Sequence, residues 1–395
     1  MHICKYSFIF LFFFRLSLAY LKKILYLCSR KQTQSMANSF GTKWTFTGFG
    51  ESHGAAVGGV LDGVPAGLYI DLALIRSELD KRAGRFKDEN ETKPRRKRDE
   101  NETVTGVGNC GASPRALREP DEVEWLSGVM SVSGRSERSV SETVCQQSGL
   151  SGEAGLITLG TPIAFIIRNK DARPEDYEWL RHTYRTGHAD KVYEQKYGIR
   201  DWRGGGRASA RETAARVVAG CIAKQELAQR GIALQARLVQ VGAETDPDKF
   251  AETIETYRRD GDSIGGIIEC RITGVPAGTG EPVFNKMQAE LAFAVMSINA
   301  CKGFEYGTGF GGVTQPGSAI NHISGGIAGG IADGTDIIFR CVFKPTPSTP
   351  KALKKLNDQM VNDKMVNRSD ACVAVRAVPV VEAMAALALV NLLQE

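Results

Sequence analysis

Residues 203–212 read Arg-Gly-Gly-Gly-Arg-Ala-Ser-Ala-Arg-Glu, three consecutive glycines followed at once by the features of a helix start. Ser209 and Glu212 have the spacing of a capping box, in which each side chain accepts a hydrogen bond from the other residue's backbone N–H. The apolar residues that follow keep a helical period and stop at Gly231. This pattern predicts a glycine loop that runs directly into a helix over 209–230.

The same loop carries a high density of positive charge beside the predicted helix start. Arg203, Arg207 and Arg211 stand four residues apart, and a guanidinium can bind a phosphate through two parallel hydrogen bonds. The unpaired N–H groups and the positive dipole end of a helix N-terminus also attract anions. The pattern therefore favours an anion site over the alternative, a flexible hinge with three exposed arginines.

Elsewhere, short apolar runs bounded by glycine or proline alternate with helical patterns. The β-rich runs at 267–272, 337–343 and 372–378 predict strands. Apolar residues at helical spacing predict helices over 285–300 and 379–393. The chain is therefore expected to mix strands and helices along its whole length.

The sequence Gly-Val-Pro-Ala-Gly occurs at 63–67 and again at 274–278. Each copy follows a strand-like run and precedes a helical pattern, at 72–82 after the first copy and at 285–300 after the second. Such self-similarity indicates a duplicated supersecondary unit. We therefore predict an internal repeat of a strand–turn–helix unit.

The composition excludes several classes of protein. The 395 residues are 42% hydrophobic and 24% charged, which is typical of a folded globular chain. Residues 1–35 hold six of the 50 Lys and Arg and none of the 45 Asp and Glu, so the remainder has a net charge of −1. Bulk charge therefore gives no support to nucleic-acid binding. Nine cysteines without a C-x-x-C pair or a metal-ligand spacing indicate reduced thiols and no structural metal.

Three segments stand outside the globular pattern. Residues 1–35 are apolar and basic, and they fit a signal peptide, an organelle transit segment or a translated stretch upstream of the true start. We favour the last, with Met36 as the functional start and 36–395 as a single catalytic domain. Residues 85–113, which contain Asp-Glu-Asn-Glu-Thr twice, and residues 131–155, rich in Ser, Gly and Glu, are predicted to be inserted loops.

Four histidines lie beyond residue 35, and histidine is the side chain whose titration suits proton transfer near neutral pH. His53, His188 and His322 stand near glycines, where a turn leaves an imidazole accessible. A histidine is otherwise usually structural or solvated, and His182, next to Arg181, fits that interpretation. His53 and His188 are the favoured catalytic candidates, and His322 is left open. The residues alone thus indicate an enzyme with a phosphate-bearing ligand and do not name the reaction.

Several longer motifs resemble the chorismate synthase family. They are Phe49-Gly-Glu-Ser-His-Gly54, Asp62-Gly-Val-Pro-Ala-Gly67, Gly187-His-Ala-Asp190, Tyr193-Glu-Gln-Lys-Tyr-Gly-Ile-Arg-Asp201, residues 203–213, and Arg376-Ala-Val-Pro-Val-Val-Glu-Ala-Met384. The resemblance covers about 36–84, 114–130 and 156–393. It implies an α+β fold in which helices are sandwiched between antiparallel β-sheets, with an internal pseudo-repeat. The duplicated strand–turn–helix unit agrees with that expectation.

The resemblance also implies a lyase of the shikimate pathway, and so of aromatic amino-acid biosynthesis. Phosphate and a ring proton would leave 5-enolpyruvylshikimate 3-phosphate by anti-1,4-elimination to give chorismate. The implied cofactor of this flavoprotein is reduced FMN (FMNH2), although the reaction has no net redox change. His53 would protonate the departing phosphate, and His188 would serve the N1 side of the flavin. Asp370 would sit near flavin N5 and act with it as the base for the ring proton.

Further positions match the family's binding motifs. The implied flavin-binding residues are Arg207, Ala208, Ser209, Asn299, Ala300, Gly329, Lys344, Pro345, Thr346, Pro347, Ser348 and Arg368. The predicted substrate- or anion-binding residues are Ser52, Arg82, Arg118, Arg203 and Arg211. The chain departs from the family pattern at the two predicted inserted loops and at Ser369, where the family usually has His.

The resemblance further implies a homotetramer in the cytoplasm without membrane or nucleic-acid partners, and the leader leaves organelle targeting open. The source of the flavin electrons is also open, with NADP and a separate flavin reductase as candidates. Two alternatives to the lyase are kept. One is a flavin oxidoreductase that uses NAD(P)H, for which the chain shows no credible dinucleotide fingerprint. The other is an FMN-binding relative that the two insertions have inactivated.

Overall fold

The computed structural model describes residues 38–85, 120–132, 155–352 and 370–393. The chain divides into two compact units, Met1–Ser39 and Phe40–Glu395, and the second holds all but two of the described residues. The predicted leader, Arg118, Arg368 and most of the two predicted inserted loops lie outside the described residues. The predictions made for those residues stay predictions, but the described ends of the loop predicted at 131–155 belong to the strands Val129–Val132 and Gly155–Thr158.

Fourteen strands occur in the described ranges. They are β1 Ser39–Phe40, β2 Thr45–Phe49, β3 Ala56–Asp62, β4 Tyr69–Ile70, β5 Val123–Ser127, β6 Val129–Val132, β7 Gly155–Thr158, β8 Ile163–Arg168, β9 Ala233–Val241, β10 Gly266–Thr273, β11 Cys301–Tyr306, β12 Ile327–Ala328, β13 Ile331–Ala332 and β14 Ile337–Phe343. The strands predicted at 267–272 and 337–343 are confirmed as β10 and β14.

Seven α-helices occur in the same ranges. They are α1 Leu72–Arg82, α2 Asp190–Tyr197, α3 Thr213–Gln229, α4 Phe250–Arg259, α5 Met287–Met296, α6 Gly317–Ile320 and α7 Ala374–Leu392. Helix α1 coincides with the predicted helix 72–82. The Asp71 carboxylate caps it by accepting hydrogen bonds from the N–H groups of Ala73 and Leu74 at 2.7 and 3.2 Å. Helix α5 lies within the predicted 285–300.

Apart from the two-residue strand β1, the two larger sheets share one strand order, in which the fourth strand along the chain lies between the second and the third. The first runs β1-β2-β3-β8-β5 and the second β9-β10-β14-β11. Strand β3 pairs antiparallel with β2 and β8, as β10 does with β9 and β14. The four glycines of the repeated pentapeptide, Gly63, Gly67, Gly274 and Gly278, have φ of 84°, 88°, 79° and 96°. The predicted internal repeat is therefore confirmed in strand order and in turn conformation.

Helices fill the space between these two sheets. Helix α3 packs on β2, β3 and β8, and α7 packs on β9 and β10 as well as on α1, α3 and α5. Helices α3 and α7 approach closely at Gly220, which has no side chain. A Cβ there would lie 2.2 Å from the Cβ of Ala383, so only glycine permits the contact. Among the described residues only α7 is long and apolar enough to cross a membrane, and 78% of its apolar window is buried inside the protein. The expected α+β fold, with helices between antiparallel sheets, is confirmed.

The start of helix α3 differs from the prediction. The helix begins at Thr213 rather than at Ser209, because residues 206–208 and 210–212 form two short 3-10 turns. Ser209 joins the two turns in an extended conformation, with φ −79° and ψ 142°. The chain thus enters the helix through two successive 3-10 turns. The predicted end at Gly231 is confirmed by its left-handed φ of 76°.

The strand predicted at 372–378 is wrong. Helix α7 begins at Ala374 and so takes up most of that run, and it also starts before the predicted 379, with Pro379 inside it. Val375 of this run is buried in the core, and Val373 and Val378 pack against the core while partly exposed. A continuous apolar run does not distinguish a buried helix from a buried strand, and here the core position accounts for the error.

Candidate active site

The loop 203–212 lies at the centre of the candidate site, because successive residues along it contact different segments of the chain. Its three glycines have φ of 67°, 92° and 55°, a left-handed conformation that glycine adopts without strain. Ser209 caps the second 3-10 turn by accepting a hydrogen bond from the Arg211 N–H at 3.3 Å. Glu212 instead accepts a hydrogen bond from Arg216, at 2.9 Å. The predicted capping box therefore yields one cap and one ion pair.

His53 lies against the first glycine of this loop. A Cβ at Gly204 would lie 2.3 Å from His53 Nδ1, so only glycine permits this approach of loop and ring. The Ser52 hydroxyl oxygen lies 3.0 Å from the same Nδ1. The ring of Tyr177 packs edge-on against the imidazole, with ring centroids 4.7 Å apart. These contacts hold a buried imidazole against the glycine loop.

His188 lies against the next glycine. A Cβ at Gly205 would lie 2.6 Å from His188 Cε1 and 3.1 Å from its Nε2. On the other side of the ring, Nδ1 lies 2.8 Å from Asp190 Oδ1 and 3.1 Å from the Arg185 NH2 nitrogen. The structure therefore brings His53 and His188, which are far apart in sequence, to adjacent positions of one loop.

The carboxylate of Asp190 is the group behind His188. It accepts hydrogen bonds from Arg185 through the backbone N–H at 3.0 Å, Nε at 2.9 Å and NH2 at 2.8 Å. Burial by itself favours the neutral acid, but the hydrogen bonds from Arg185 and His188 outweigh it and hold the pKa of Asp190 well below its usual range. Asp190 is therefore a buried, ionised carboxylate.

The middle of the loop contains Arg207 and contacts Asn299, two of the residues implied in flavin binding. Arg207 NH1 donates to the Gly50 carbonyl at 3.4 Å, and a Cβ at Gly48 would lie 3.3 Å from Arg207 NH2. Asn299 Nδ2 donates to the Ala208 carbonyl at 3.2 Å. Asn299 Oδ1 is buried and, among the described residues, has no hydrogen-bond partner. A buried acceptor thus lies beside the same short segment as Arg207.

The segment 344–348 lies next to the histidine loop. Lys344 Nζ donates to the Gly187 carbonyl at 2.8 Å, and a Cβ at Gly187 would lie 3.3 Å from the Cβ of Pro347. The Lys344 backbone N–H donates to the Ala300 carbonyl at 3.0 Å, and Ala300 itself has a left-handed φ of 69°. The structure thus joins the Asn299 segment to the His188 segment. Pro345, Thr346 and Ser348 belong to the same stretch.

Two cations of the site have no carboxylate partner among the described residues. Arg207 and Lys344 make no ion pair within 4 Å there. Burial, aided by the nearby Lys302, lowers the pKa of the Lys344 amine. Both groups are thus positioned to bind an anion.

Three other arginines are paired with aspartates. Arg82 NH1 donates to Asp121 Oδ2 at 3.0 Å, and Arg211 NH1 donates to Asp121 Oδ1. Arg203 binds Asp201 through Nε at 2.8 Å and NH2 at 3.1 Å. Burial lowers the pKa of the Arg82 guanidinium to about 9, and the Asp121 charge opposes that shift. For Asp121, burial favours the neutral acid, but Arg211 and Arg82 hold its pKa below the usual value.

Asp370 lies beside the end of the loop, near Arg82. Arg376 NH1 donates to both Asp370 oxygens at 2.9 and 2.7 Å, and Arg376 Nε donates to the Arg82 carbonyl at 2.8 Å. A cleft here is lined by Arg82, Thr213, Asn299 and Arg376 together with apolar side chains. The cleft therefore extends from Arg376, which binds Asp370, to Asn299 beside the loop.

Gly329 is set apart from this arrangement. It lies in the turn between β12 and β13, where the Gly330 carbonyl accepts a hydrogen bond from the Met287 N–H at 2.7 Å. Met287 begins α5, whereas Asn299 follows the far end of that 10-residue helix, about 15 Å away along its axis. His322 is exposed, on the segment that follows α6.

The motifs that meet at this loop can be compared with known proteins. A family model described as chorismate synthase matches residues 44–114 and 131–393. The chain belongs to the chorismate synthase family. It is a lyase of that family, and both predicted inserted loops fall within the matched ranges. The match leaves out 115–130, which contains Asp121.

Named relatives agree with this membership. The chorismate synthase of Christiangramia forsetii is 41% identical over 391 aligned residues, covering 90% of this chain and 96% of its own length. That of Cytophaga hutchinsonii is 41% identical, covering 90% and 97%. A crystal structure of chorismate synthase is 25% identical, with a TM-score of 0.60, covering 89% of this chain and 92% of its own.

Sequence reasoning did not assign the residues that hold the site in place. These are Asp121, Asn169, Arg185, Asp190 and Arg376, each of which binds a predicted site residue. Two of them carried a usable signal: Asp190 stands two residues from His188 in a quoted motif, and Arg376 opens another. No group of three potential metal ligands occurs in the described part of the chain.

Proposed function

We propose that this chorismate synthase family member converts 5-enolpyruvylshikimate 3-phosphate to chorismate in the shikimate pathway, by anti-1,4-elimination of phosphate and a ring proton. The observation that carries the proposal is the meeting of His53 and His188 at adjacent glycines of the loop 203–212. The reaction needs an acid for the leaving phosphate, cations for the anionic groups and a base for the ring proton. The loop and its contacts supply candidates for each.

We propose reduced FMN as the particular flavin, and the residues present fit it. The orphan Asn299 Oδ1 can accept an N–H, and Arg207 and Lys344 can bind anionic oxygens. When bound, the reduced flavin would lend electron density to the allylic system of the substrate as phosphate leaves. Ala208, Ser209, Ala300 and residues 345–348 would line the same site, while the roles of Gly329 and Arg368 stay predictions.

His53 is proposed as the general acid. A phosphate dianion is a poor leaving group, and a proton donated from Nε2, the ring nitrogen that Ser52 does not contact, improves it. The Arg82–Asp121–Arg211 cluster has two guanidiniums for one carboxylate and so keeps a positive charge that stabilises a departing anion. Arg118 and Arg203 stay predicted anion-binding residues.

His188 and Asp370 are proposed to handle the remaining protons. His188 would take or give a proton at Nε2, since Asp190 lies at its Nδ1. Asp370 would act as a base for the ring proton, with Arg376 holding its carboxylate in place. His188 lies against the loop at Gly205, whereas Asp370 is joined to it through Arg376 and Arg82, which donates to the Ala210 carbonyl at 3.1 Å.

The experiment that tests this function is anaerobic turnover with dithionite-reduced FMN. Protein beginning at Met36 should release inorganic phosphate from 5-enolpyruvylshikimate 3-phosphate and form one chorismate per phosphate. His53→Ala should lower kcat by about 10²–10⁴-fold, the usual contribution of general acid–base catalysis. A soluble, flavin-binding protein that releases no phosphate under these conditions would refute the proposal.

The cellular setting is proposed from the family alone. We propose a cytoplasmic homotetramer whose flavin is reduced by a separate reductase, and light scattering should give a mass of four chains. NADPH alone should then support no turnover of the isolated protein. Steady NADPH consumption coupled to turnover would instead favour the oxidoreductase alternative.

A further inference from the structure

Asp190 is a buried carboxylate that takes no direct part in the proposed reaction. Its side chain is 2% exposed and has hydrogen-bond partners at both oxygens. Oδ2 accepts from the backbone N–H and Nε of Arg185, and Oδ1 lies 2.8 Å from both Arg185 NH2 and His188 Nδ1. His188 therefore meets a negative charge at one ring nitrogen and the glycine loop on its other side.

Two groups compete for His188 Nδ1. An ionised carboxylate can only accept hydrogen bonds, so Asp190 Oδ1, 2.8 Å from Nδ1, favours a proton on that nitrogen. A guanidinium can only donate, so Arg185 NH2 at 3.1 Å would require a lone pair there. In a neutral imidazole the proton on one nitrogen excludes a proton on the other. The shorter contact to the full negative charge favours the tautomer with hydrogen on Nδ1.

We propose that Asp190 is a positioning residue that selects the Nδ1–H tautomer of His188 and so presents the Nε2 lone pair beside Gly205. Its effect on turnover rests on the proposed function, but the tautomer does not. Asp190 also holds Arg185 through three hydrogen bonds. It thereby fixes the orientation of the ring and the identity of the nitrogen that exchanges a proton.

The tautomer can be measured without flavin or substrate. Protein labelled with ¹⁵N-histidine is examined by two-bond ¹H–¹⁵N NMR at a pH where the rings are neutral, with His188→Gln identifying the signal. The native protein should show hydrogen on Nδ1, and Asp190→Asn should shift His188 toward hydrogen on Nε2, because Arg185 then donates to Nδ1. Arg185→Gln should keep the native tautomer. Hydrogen on Nε2 in the native protein or in Arg185→Gln would overturn the proposal, even if Asp190→Asn does not fold.

A double-mutant cycle tests whether Asp190 acts through His188. Asp190→Asn should lower kcat by about 100-fold, within the range of general acid–base effects, while the Kd for FMN changes by less than about 3-fold. In a His188→Ala background the same change should lower kcat by less than about 3-fold, because the group it positions is gone. Asp336→Asn, which removes a half-buried aspartate paired with Arg271, is the control and should leave kcat unchanged.

The outcomes separate the two proposals. An equal loss from Asp190→Asn in both backgrounds would mean that Asp190 supports Arg185 or the fold rather than His188, and would overturn the positioning role. If the native protein releases no phosphate, the proposed reaction fails. The tautomer measurement then decides the role of Asp190 alone.

Discussion

A methyl group at Gly205 is the smallest change that tests how the loop holds His188. In Gly205→Ala, the new Cβ would lie 2.6 Å from His188 Cε1 and 2.9 Å from Arg185 NH2. Carbon atoms that are not bonded prefer about 3.5 Å or more, so the imidazole has to move by about 1 Å. A displacement of that size at a reacting group costs about 10²-fold in rate.

The same substitution also has a backbone cost that must be separated from the displacement. Gly205 has φ 92°, and a residue with a Cβ in the left-handed region costs about 1–2 kcal/mol. Gly231 provides the matched control, because it has φ 76° and a Cβ added there would have no atom within 4 Å. Gly231→Ala should therefore show the backbone cost alone, Gly205→Ala should show that cost plus the cost of the overlap, and only Gly205→Ala should lose activity.

The assay combines urea unfolding with phosphate release under reduced-flavin conditions. The left-handed backbone should cost each variant about 1–2 kcal/mol of unfolding free energy, and the overlap with His188 and Arg185 should add to that loss in Gly205→Ala. The kcat should be about 100-fold lower in Gly205→Ala and within about 2-fold of native in Gly231→Ala. Equal kcat values in the two variants would refute the reasoning. They would mean that the position of His188 against this loop does not matter to turnover.

Two further changes test the charged groups. Asp121→Asn leaves Arg82 and Arg211 buried without their carboxylate and should lower the unfolding free energy by about 3–5 kcal/mol at pH 7, as measured in urea. Because the folded state lowers the Asp121 pKa, this stabilisation is complete above its unfolded value near 3.9, and the difference between native and variant should narrow as the pH falls below about 4. A difference independent of pH would contradict the assignment. Lys344→Met should raise the Kd for FMN by about 10-fold or more in a fluorescence titration, whereas Lys351→Met, which removes a lysine paired with Asp262, should not; equal effects would exclude a specific anion contact.

Elements whose signal is local could be predicted from the sequence. Strands β10 and β14 and helix α1 lie where the alternating or helical patterns predict them. Each of these patterns is bounded by Gly, Pro or a capping Asp. The repeated pentapeptide predicted the internal repeat because both copies follow a strand-like run and precede a helical pattern, and in the structure its glycines have left-handed φ values in both copies. Helix α7 was mistaken in part for a strand, since only the surrounding sheets and helices reveal that a valine-rich run is a buried helix.

The sequence pointed to the two histidines and the glycine loop that the structure brings together, but not to most of the residues that support them. Glycine-flanked histidines and an arginine-rich loop are visible in one stretch of sequence. By contrast, Asp121 reaches Arg211 across 90 positions and Arg376 reaches the Arg82 carbonyl across 294. Such pairs depend on which elements the fold brings together, and spacing along the chain carries no information about them.

The distribution of charge separates five arginines that are paired with aspartates from two cations that have no carboxylate partner among the described residues. Arg82, Arg185, Arg203, Arg211 and Arg376 each bind an aspartate, so their positions are fixed before any ligand arrives. Arg207 and Lys344 are supported instead by contacts with backbone carbonyls. An anion that binds these two gains attraction without breaking an ion pair, because neither has a carboxylate partner among the described residues. Binding of FMN phosphate should therefore stabilise the fold by mass action, and that stabilisation should be lost in Arg207→Met and Lys344→Met but kept in Arg203→Met.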